Sequence, residues 1–355
     1  MSSPDLDMQA LQRLRSEFSH ALRDFASSPS AFRILHSIPS ATIAPTPSNP
    51  IVTRTLYLLD SSFNPPSKAH SSLVKTALRS RDARPAPGEQ TPRVLFLLAT
   101  VNADKKPKPA DFEDRLVMMT LAAEDLRSEY TSRVTAGDSS RSSTTSDTPA
   151  PIIDIGITKE PYFVDKATAI DASGLYRPPG YDPSSTSSPS EDGGGVVEQI
   201  HLTGFDTLLR IFTPKYYPNS HPPLSALEPF LRRHRLRATI RVDANSPSQN
   251  LKDAQQTPPS CSHAPPDLTT IAGQEAYLDG IRNGALEKDG LKREWAQRVD
   301  LAVDDSGETD GVSSTKIRNA MKGGDWDEVQ GLVGRKVGEW IRHRRLYLEE
   351  EKEEK

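Results

Sequence analysis

The sequence predicts an α/β fold, a mainly parallel sheet covered by helices on both faces, and two patterns carry that prediction. Six short runs, at 56–59, 94–98, 152–157, 196–202, 238–242 and 299–303, are mostly β-branched or leucine-rich, as strands buried on both faces are. Between them lie segments whose apolar residues recur every three or four positions, the spacing of a helix with one buried face. Alternating strand and helix give a parallel sheet, which binds ligands at the carboxyl ends of its strands.

Taken in order, Leu11, Leu14, Phe18, Leu22 and Phe25 predict an amphipathic helix over about 5–26, packed on the domain. Its basic residues Arg13, Arg15 and Arg23 are balanced by Asp5, Asp7, Glu17 and Asp24, which argues against a mitochondrial presequence. A Pro-rich connector fills the stretch to residue 50. The strand at 56–59 is stopped by Pro65 and Pro66 before a helix begins at about residue 69 and runs to 78. Asp111 is placed to cap a helix over 112–126, with Leu116, Met119, Ala123 and Leu126 on one face. The arginine-rich stretch 231–241 reads as a solvated helix face leading into a strand. Ser313 is placed to cap a helix over 314–322 that Gly323 and Gly324 end, and Asp325 with Glu328 starts the next. A final helix over 334–348 precedes a solvated charge run, 349–355.

Thirty prolines in 355 residues imply that part of the chain packs against nothing. The tracts at 132–150, 178–195 and 245–267 are too rich in Ser, Pro and Gly to offset their ordering entropy, and are expected as disordered insertions. On the order of 240 residues remain, enough for one large domain, placed at 51–348 with residues 1–50 as helix and connector. The net charge of −4 and scattered basic residues argue against a nucleic-acid partner. No apolar run has the length to span a bilayer, so no membrane partner is expected. The single cysteine, Cys261, lies in a Ser/Pro tract where it meets no second thiol, which fits a reducing compartment, cytoplasm or nucleus.

Three segments carry chemistry. Residues 61–70, SSFNPPSKAH, form a strand-to-helix turn that leaves His70 near a helix N-terminus, where free N–H groups favour an anion. Val312 to Arg318 places Ser313, Ser314 and Thr315 at another helix start, with Arg318 one turn inside on the same side, a pocket for phosphate oxygens. At the end of the fourth strand, Gly204 lets a ligand approach the backbone and Asp206 can accept hydrogen bonds from a ribose or an amide. His201, just before it, reads as a strand-end packing residue. Each segment, taken by itself, is also what a capped helix or a turn looks like.

Together and in this order the three resemble the nucleotidylyltransferase superfamily, and within it the eukaryotic type of nicotinamide mononucleotide (NMN) adenylyltransferase. The family's first motif, GSFNP followed by Thr or His, two variable residues and His, is matched by Ser62, Phe63, Asn64, Pro65, Ser67 and His70. Its last, ISSTxxR, is matched by Val312 to Arg318, and similarity continues through Asn319 and Ala320 to Val337, Gly338, Glu339, Trp340, Ile341, Arg345, Leu346 and Tyr347. Glu294 and Trp295, Asp104 with Lys105, Lys106, Arg115 and Met118, and Gly204 with Asp206 and the run Pro214, Lys215, Tyr216, Tyr217 resemble the middle of the family. Ser67 and the N-terminal helix resemble the fungal branch that includes the promoter-of-filamentation protein. The chain departs from the pattern at Ser61, where the family has its first glycine, and at Tyr217, where it has a tryptophan that stacks on the pyridine ring. Tyr162 and Phe163 stand near a second such position.

The resemblance implies a Rossmann-like sheet and adenylyl transfer from ATP, with its Mg²⁺, to NMN, giving NAD and pyrophosphate. It assigns His70, Ser67 and Arg318 to catalysis. Ser61, Ser62, Phe63, Asn64, Lys105, Lys106, Gly204, Asp206, Tyr216, Tyr217, Ser314 and Thr315 would bind ATP or the dinucleotide, with no metal held by protein ligands. Two alternatives stand beside it: another acceptor, such as nicotinate mononucleotide, phosphopantetheine or a cytidylyl-transfer substrate, and a degenerate ATP-binding or ATPase member with a regulatory role.

Overall fold

The computed structural model describes residues 6–40, 44–79, 91–101, 110–135, 150–181, 196–217, 220–240, 267–304, 309 and 311–348. Lys105, Lys106, Cys261, the tail 349–355 and most of the tracts at 132–150, 178–195 and 245–267 lie outside them.

All six apolar runs are strands: β3 (Thr55–Asp60), β4 (Arg93–Ala99), β5 (Ile152–Thr158), β7 (Glu198–Gly204), β8 (Arg235–Ile240) and β9 (Val299–Val303). Their neighbours pair in parallel, in the order β5-β4-β3-β7-β8-β9. The fourth strand in sequence therefore lies beside the first, and the winding reverses between β3 and β7, the switch point at which such sheets bind ligands. Leu56, Leu58, Leu95 and Leu97 on one face and Leu59, Val94 and Ile155 on the other are buried, which requires cover on both sides. That cover comes from α2 (Lys68–Leu78), α3 (Phe112–Thr135), α4 (Phe163–Ser173), α5 (Phe205–Ile211), α6 (Glu228–Arg233) and α7 (Ile271–Arg282). The chain then closes through α8 (Ser314–Gly323), α9 (Trp326–Leu332) and α10 (Arg335–Arg344).

The N-terminal segment corrects one expectation. Helix α1 (Met8–Ser27) forms where the spacing placed it, capped by Asp7, whose carboxylate accepts from Ala10 N at 3.0 Å. Its Phe18 and Phe25 are buried in the main core, worth about 1.5–3 kcal/mol each. The stretch expected to lead into a connector, however, contains β1 (Phe32–Ile38), which pairs antiparallel with β5 and completes a seven-stranded sheet. Residues 1–50 thus contribute a helix and a strand to the domain that the sequence reading started at 51. Two short strands, β2 (Ile51–Val52) and β6 (Tyr176–Arg177), form a second, parallel pair.

One buried carboxylate ties this edge together. Asp154, fully enclosed on β5, accepts from Arg93 Nε and Nη2, each at 2.7 Å, from Ser37 Oγ of β1 at 2.5 Å and from Tyr176 OH of β6 at 2.9 Å.

Other boundaries moved for local reasons. Helix α3 continues past the expected end at 126 to Thr135. Helix α10 stops at Arg344, short of 348, because Arg345 takes the left-handed conformation, φ 53°. Helix α8 ends at a left-handed Gly324, φ 73°, where a residue without a Cβ is needed. Among the described residues, no helix is long and apolar enough to cross a membrane.

Candidate active site at the switch point of the sheet

The turn after β3 is built around a buried ring. Phe63, at φ 43°, is fully enclosed; its ring stacks on Phe96 of β4 at 5.5 Å and lies 5.2 Å from the His70 ring. This tucks the backbone of Asn64 and Pro65 inward and brings α2 in behind it, with Ser67 as the N-cap.

His70 is held from both sides. Ser67 N donates to His70 Nδ1 at 3.0 Å, which makes Nδ1 the acceptor and leaves the hydrogen on Nε2. That nitrogen is 2.8 Å from Ser61 Oγ, while Ser67 Oγ is 2.9 Å from Nδ1.

The C-terminal motif docks on the same turn. Ser313 caps α8, accepting from Lys316 N at 3.1 Å. One residue on, Ser314 Oγ donates to Pro65 O at 2.8 Å. Arg318 Nη1 donates to Asn64 O at 2.7 Å and its Nη2 to Thr315 Oγ1 at 2.9 Å. Tyr347 OH donates to Asn64 Oδ1 at 2.8 Å, and burial pushes its phenol well above the usual range. The first and last motifs therefore meet on one turn: Ser61 and Ser67 both contact His70, and Ser314 and Arg318, the latter also bonded to Thr315, donate to the backbone oxygens of Pro65 and Asn64.

No protein-family model matches the chain. It is similar, at 27% identity over 282 residues, to a Schizosaccharomyces pombe protein described as a candidate nicotinamide mononucleotide adenylyltransferase; the match covers 79% of this chain and 82% of that protein. Over most of its length the chain is thus similar to a described nucleotidylyltransferase. Among solved structures, Plasmodium falciparum nicotinic acid mononucleotide adenylyltransferase complexed with NaAD is 12% identical at a TM-score of 0.39, over 83% of this chain and 98% of that one. The same parasite's enzyme complexed with APC is 10% identical at a TM-score of 0.41, with the same coverage. The fold assignment stands on this chain's own strand order.

Where the motif that the turn resembles has its first glycine, this chain has Ser61, whose hydroxyl lies on His70. Gly204 and Asp206 reach the site through the sheet, since β7 neighbours β3. A Cβ at Gly204 would meet nothing within 4 Å, so the space beside that backbone is open, and Asp206 is exposed in the first turn of α5. Tyr217 packs with Phe163 on the cluster under α5 and α6, and burial, then the charge of Asp165, pushes its phenol up. Tyr216 is half-buried, 5.1 Å from the Lys215 ammonium; Ser62 and Tyr162 are exposed.

Two cations outside the predicted set belong to the same region. Arg115 is buried, with Nε donating to Ala110 O at 2.9 Å; burial lowers its pKa, and the nearby Arg318 charge adds to that. Its place one turn behind Asp111 was visible in the sequence, its proximity to Arg318 was not. Lys166 Nζ lies 2.5 Å from Asp60 Oδ2 at the carboxyl end of β3, a pairing across α4 that no local pattern announces.

Proposed function

We propose that the chain transfers an adenylyl group from MgATP to nicotinamide mononucleotide, giving NAD and pyrophosphate. The observation that carries this reading is the joining of His70 and Arg318 on one turn at the switch point, through Asn64 and Pro65. A phosphate oxygen of the mononucleotide attacks the α-phosphorus of ATP in line, the bond to the bridging oxygen breaks, and pyrophosphate leaves. The nucleophile is already an anion at neutral pH, so no strong base is required; positioning and charge stabilisation supply the rate.

In this reading the Nε2–H of His70 turns from Ser61 to a phosphate oxygen. Ser314 has committed its hydrogen to Pro65, so phosphate at α8 meets the free backbone N–H groups of the first turn, Thr315 and the remaining donors of Arg318. Ser61, Ser62, Phe63 and Asn64 shape the turn, while Lys105 and Lys106 add charge to the ATP phosphates. Asp206 accepts from the ribose beside Gly204, and Tyr216 and Tyr217 face the base. The Mg²⁺ arrives with ATP and is held by phosphate oxygens and water.

The contact between Ser61 and His70 favours one alternative, an ATP-binding member with a regulatory role, because it occupies the donor that the reaction needs. His70→Ala separates the two. Pyrophosphate release dependent on NMN should fall by about 100- to 1000-fold, the loss usual for one oxyanion donor, with thermal unfolding unchanged. An unaltered rate would place the reaction elsewhere.

A further inference from the structure

Helix α2 has a second polar face. His70 meets the turn after β3, whereas Lys68, Ser71, Ser72, Lys75 and Arg79 recur every three or four positions and share another stripe of the helix. That stripe lines a cavity of about 310 Å³, whose other walls are α3, the start of α10 and Asp304, just past β9. Ser61, Asn64, His70, Thr315 and Arg318 are absent from its described lining residues. Ser67, whose N–H holds His70 Nδ1 at 3.0 Å, stands between the cavity and the candidate active site.

The acceptors in the cavity are spoken for. Glu129 is 2.5 Å from Lys75 Nζ, Asp304 accepts from the hydroxyls of Ser72 and Thr309, and Asp125 accepts from Lys336 N at 3.2 Å. What is left over is donors. The Lys68 ammonium, the Ser71 hydroxyl and the Arg79 guanidinium make no hydrogen bond or ion pair with a described residue, and Lys75 keeps further hydrogens after meeting Glu129.

Those donors converge. Ser71 lies one turn from Lys68 on one side and from Lys75 on the other, a spacing that sets neighbouring Cβ atoms about 5–6 Å apart, so both flexible stems can bring their ammonium groups to one oxyanion at Ser71. Arg79 adds positive charge one turn farther on. A phosphate supplies the acceptor oxygens that such donors require, and a cation would meet only acceptors already in use. The volume falls within the range of about 300–1,000 Å³ usual for small-molecule sites, which leaves room for more than the phosphate itself.

We propose that this cavity is a second phosphate site, which takes a small phosphorylated molecule on Lys68, Ser71 and Lys75, apart from the nucleotide site. It goes beyond adenylyl transfer and uses none of the residues assigned to that reaction.

Calorimetric titration of the full chain with inorganic phosphate tests it. Lys68→Met, which keeps the apolar stem and removes the charge, should weaken phosphate by about tenfold, and Ser71→Ala by about threefold. His70→Ala should retain this binding, and Lys68→Met should keep the wild-type rate of pyrophosphate release. Glycerol 3-phosphate, which adds a body to fill the cavity, should bind the wild type more tightly than inorganic phosphate; equal affinity would make the site one for the free ion and overturn the phosphorylated ligand. Phosphate binding lost in His70→Ala and untouched in Lys68→Met would belong to the nucleotide site and overturn the second one, as would no binding to the wild type. Loss of turnover in Lys68→Met would put that lysine on ATP and overturn the separation of the two sites.

Discussion

The Oγ of Ser61 lies 2.8 Å from His70 Nε2, so the donor that the proposed chemistry points at a phosphate is satisfied by the chain itself. Glycine at that place could not make this contact. Restoring it with Ser61→Gly frees the donor, and kcat/KM for ATP should rise by about three- to tenfold, the scale of one neutral hydrogen bond. A fall would show that the hydroxyl itself contacts ATP.

Arg318 spends two donors, one on Asn64 O and one on Thr315 Oγ1, in a fork that a lysine cannot reproduce. Arg318→Lys should lower kcat/KM for ATP by about 10- to 100-fold, a few kcal/mol at most, while the unfolding midpoint moves little. Steady-state kinetics beside chemical denaturation check this; a variant as active as wild type would remove Arg318 from the site.

The closing turn of the chain is held to the first motif by Tyr347 OH and Asn64 Oδ1 at 2.8 Å, a buried bond. Tyr347→Phe should cost about 1–2 kcal/mol of stability by urea unfolding and lower turnover with it, since Asn64 also receives Arg318. A stable but inactive variant would give the hydroxyl a more direct role than positioning.

Asp125 gives the fold a pH dependence of stated sign. Burial raises its carboxyl to about 6, against the lowering effect of the Lys336 N–H that it accepts at 3.2 Å at the start of α10. The folded value lies above the unfolded one, so the contribution is present below about pH 4 and is lost as pH rises through 6. Asp125→Asn, which keeps the acceptor, should gain about 1–3 kcal/mol over the wild type above pH 6 and differ little from it below pH 4. Unfolding curves at pH 4 and pH 7 decide; a constant difference would contradict the assignment.

How much of this was legible follows from what each element buries. The six parallel strands are apolar on both faces and announce themselves, and both helix caps at Ser313 and Asp325 formed as their side chains dictate. Strand β1 was hidden because it is an edge: Arg33, Ile34, Leu35 and His36 are only half-buried, and its partner lies far along the chain. In the site, His70, Asn64 and Arg318 were legible as a set, because helix starts advertise anion sites. What Ser314 binds and what Lys166 pairs with depend on neighbours more than a hundred residues away, and no local pattern encodes them.

The most direct test of the account is the stoichiometry of the reaction. Purified protein with MgATP and NMN should release one pyrophosphate for each NAD formed, and none when NMN is left out. Release of inorganic phosphate at a rate indifferent to NMN, with no dinucleotide, would contradict it.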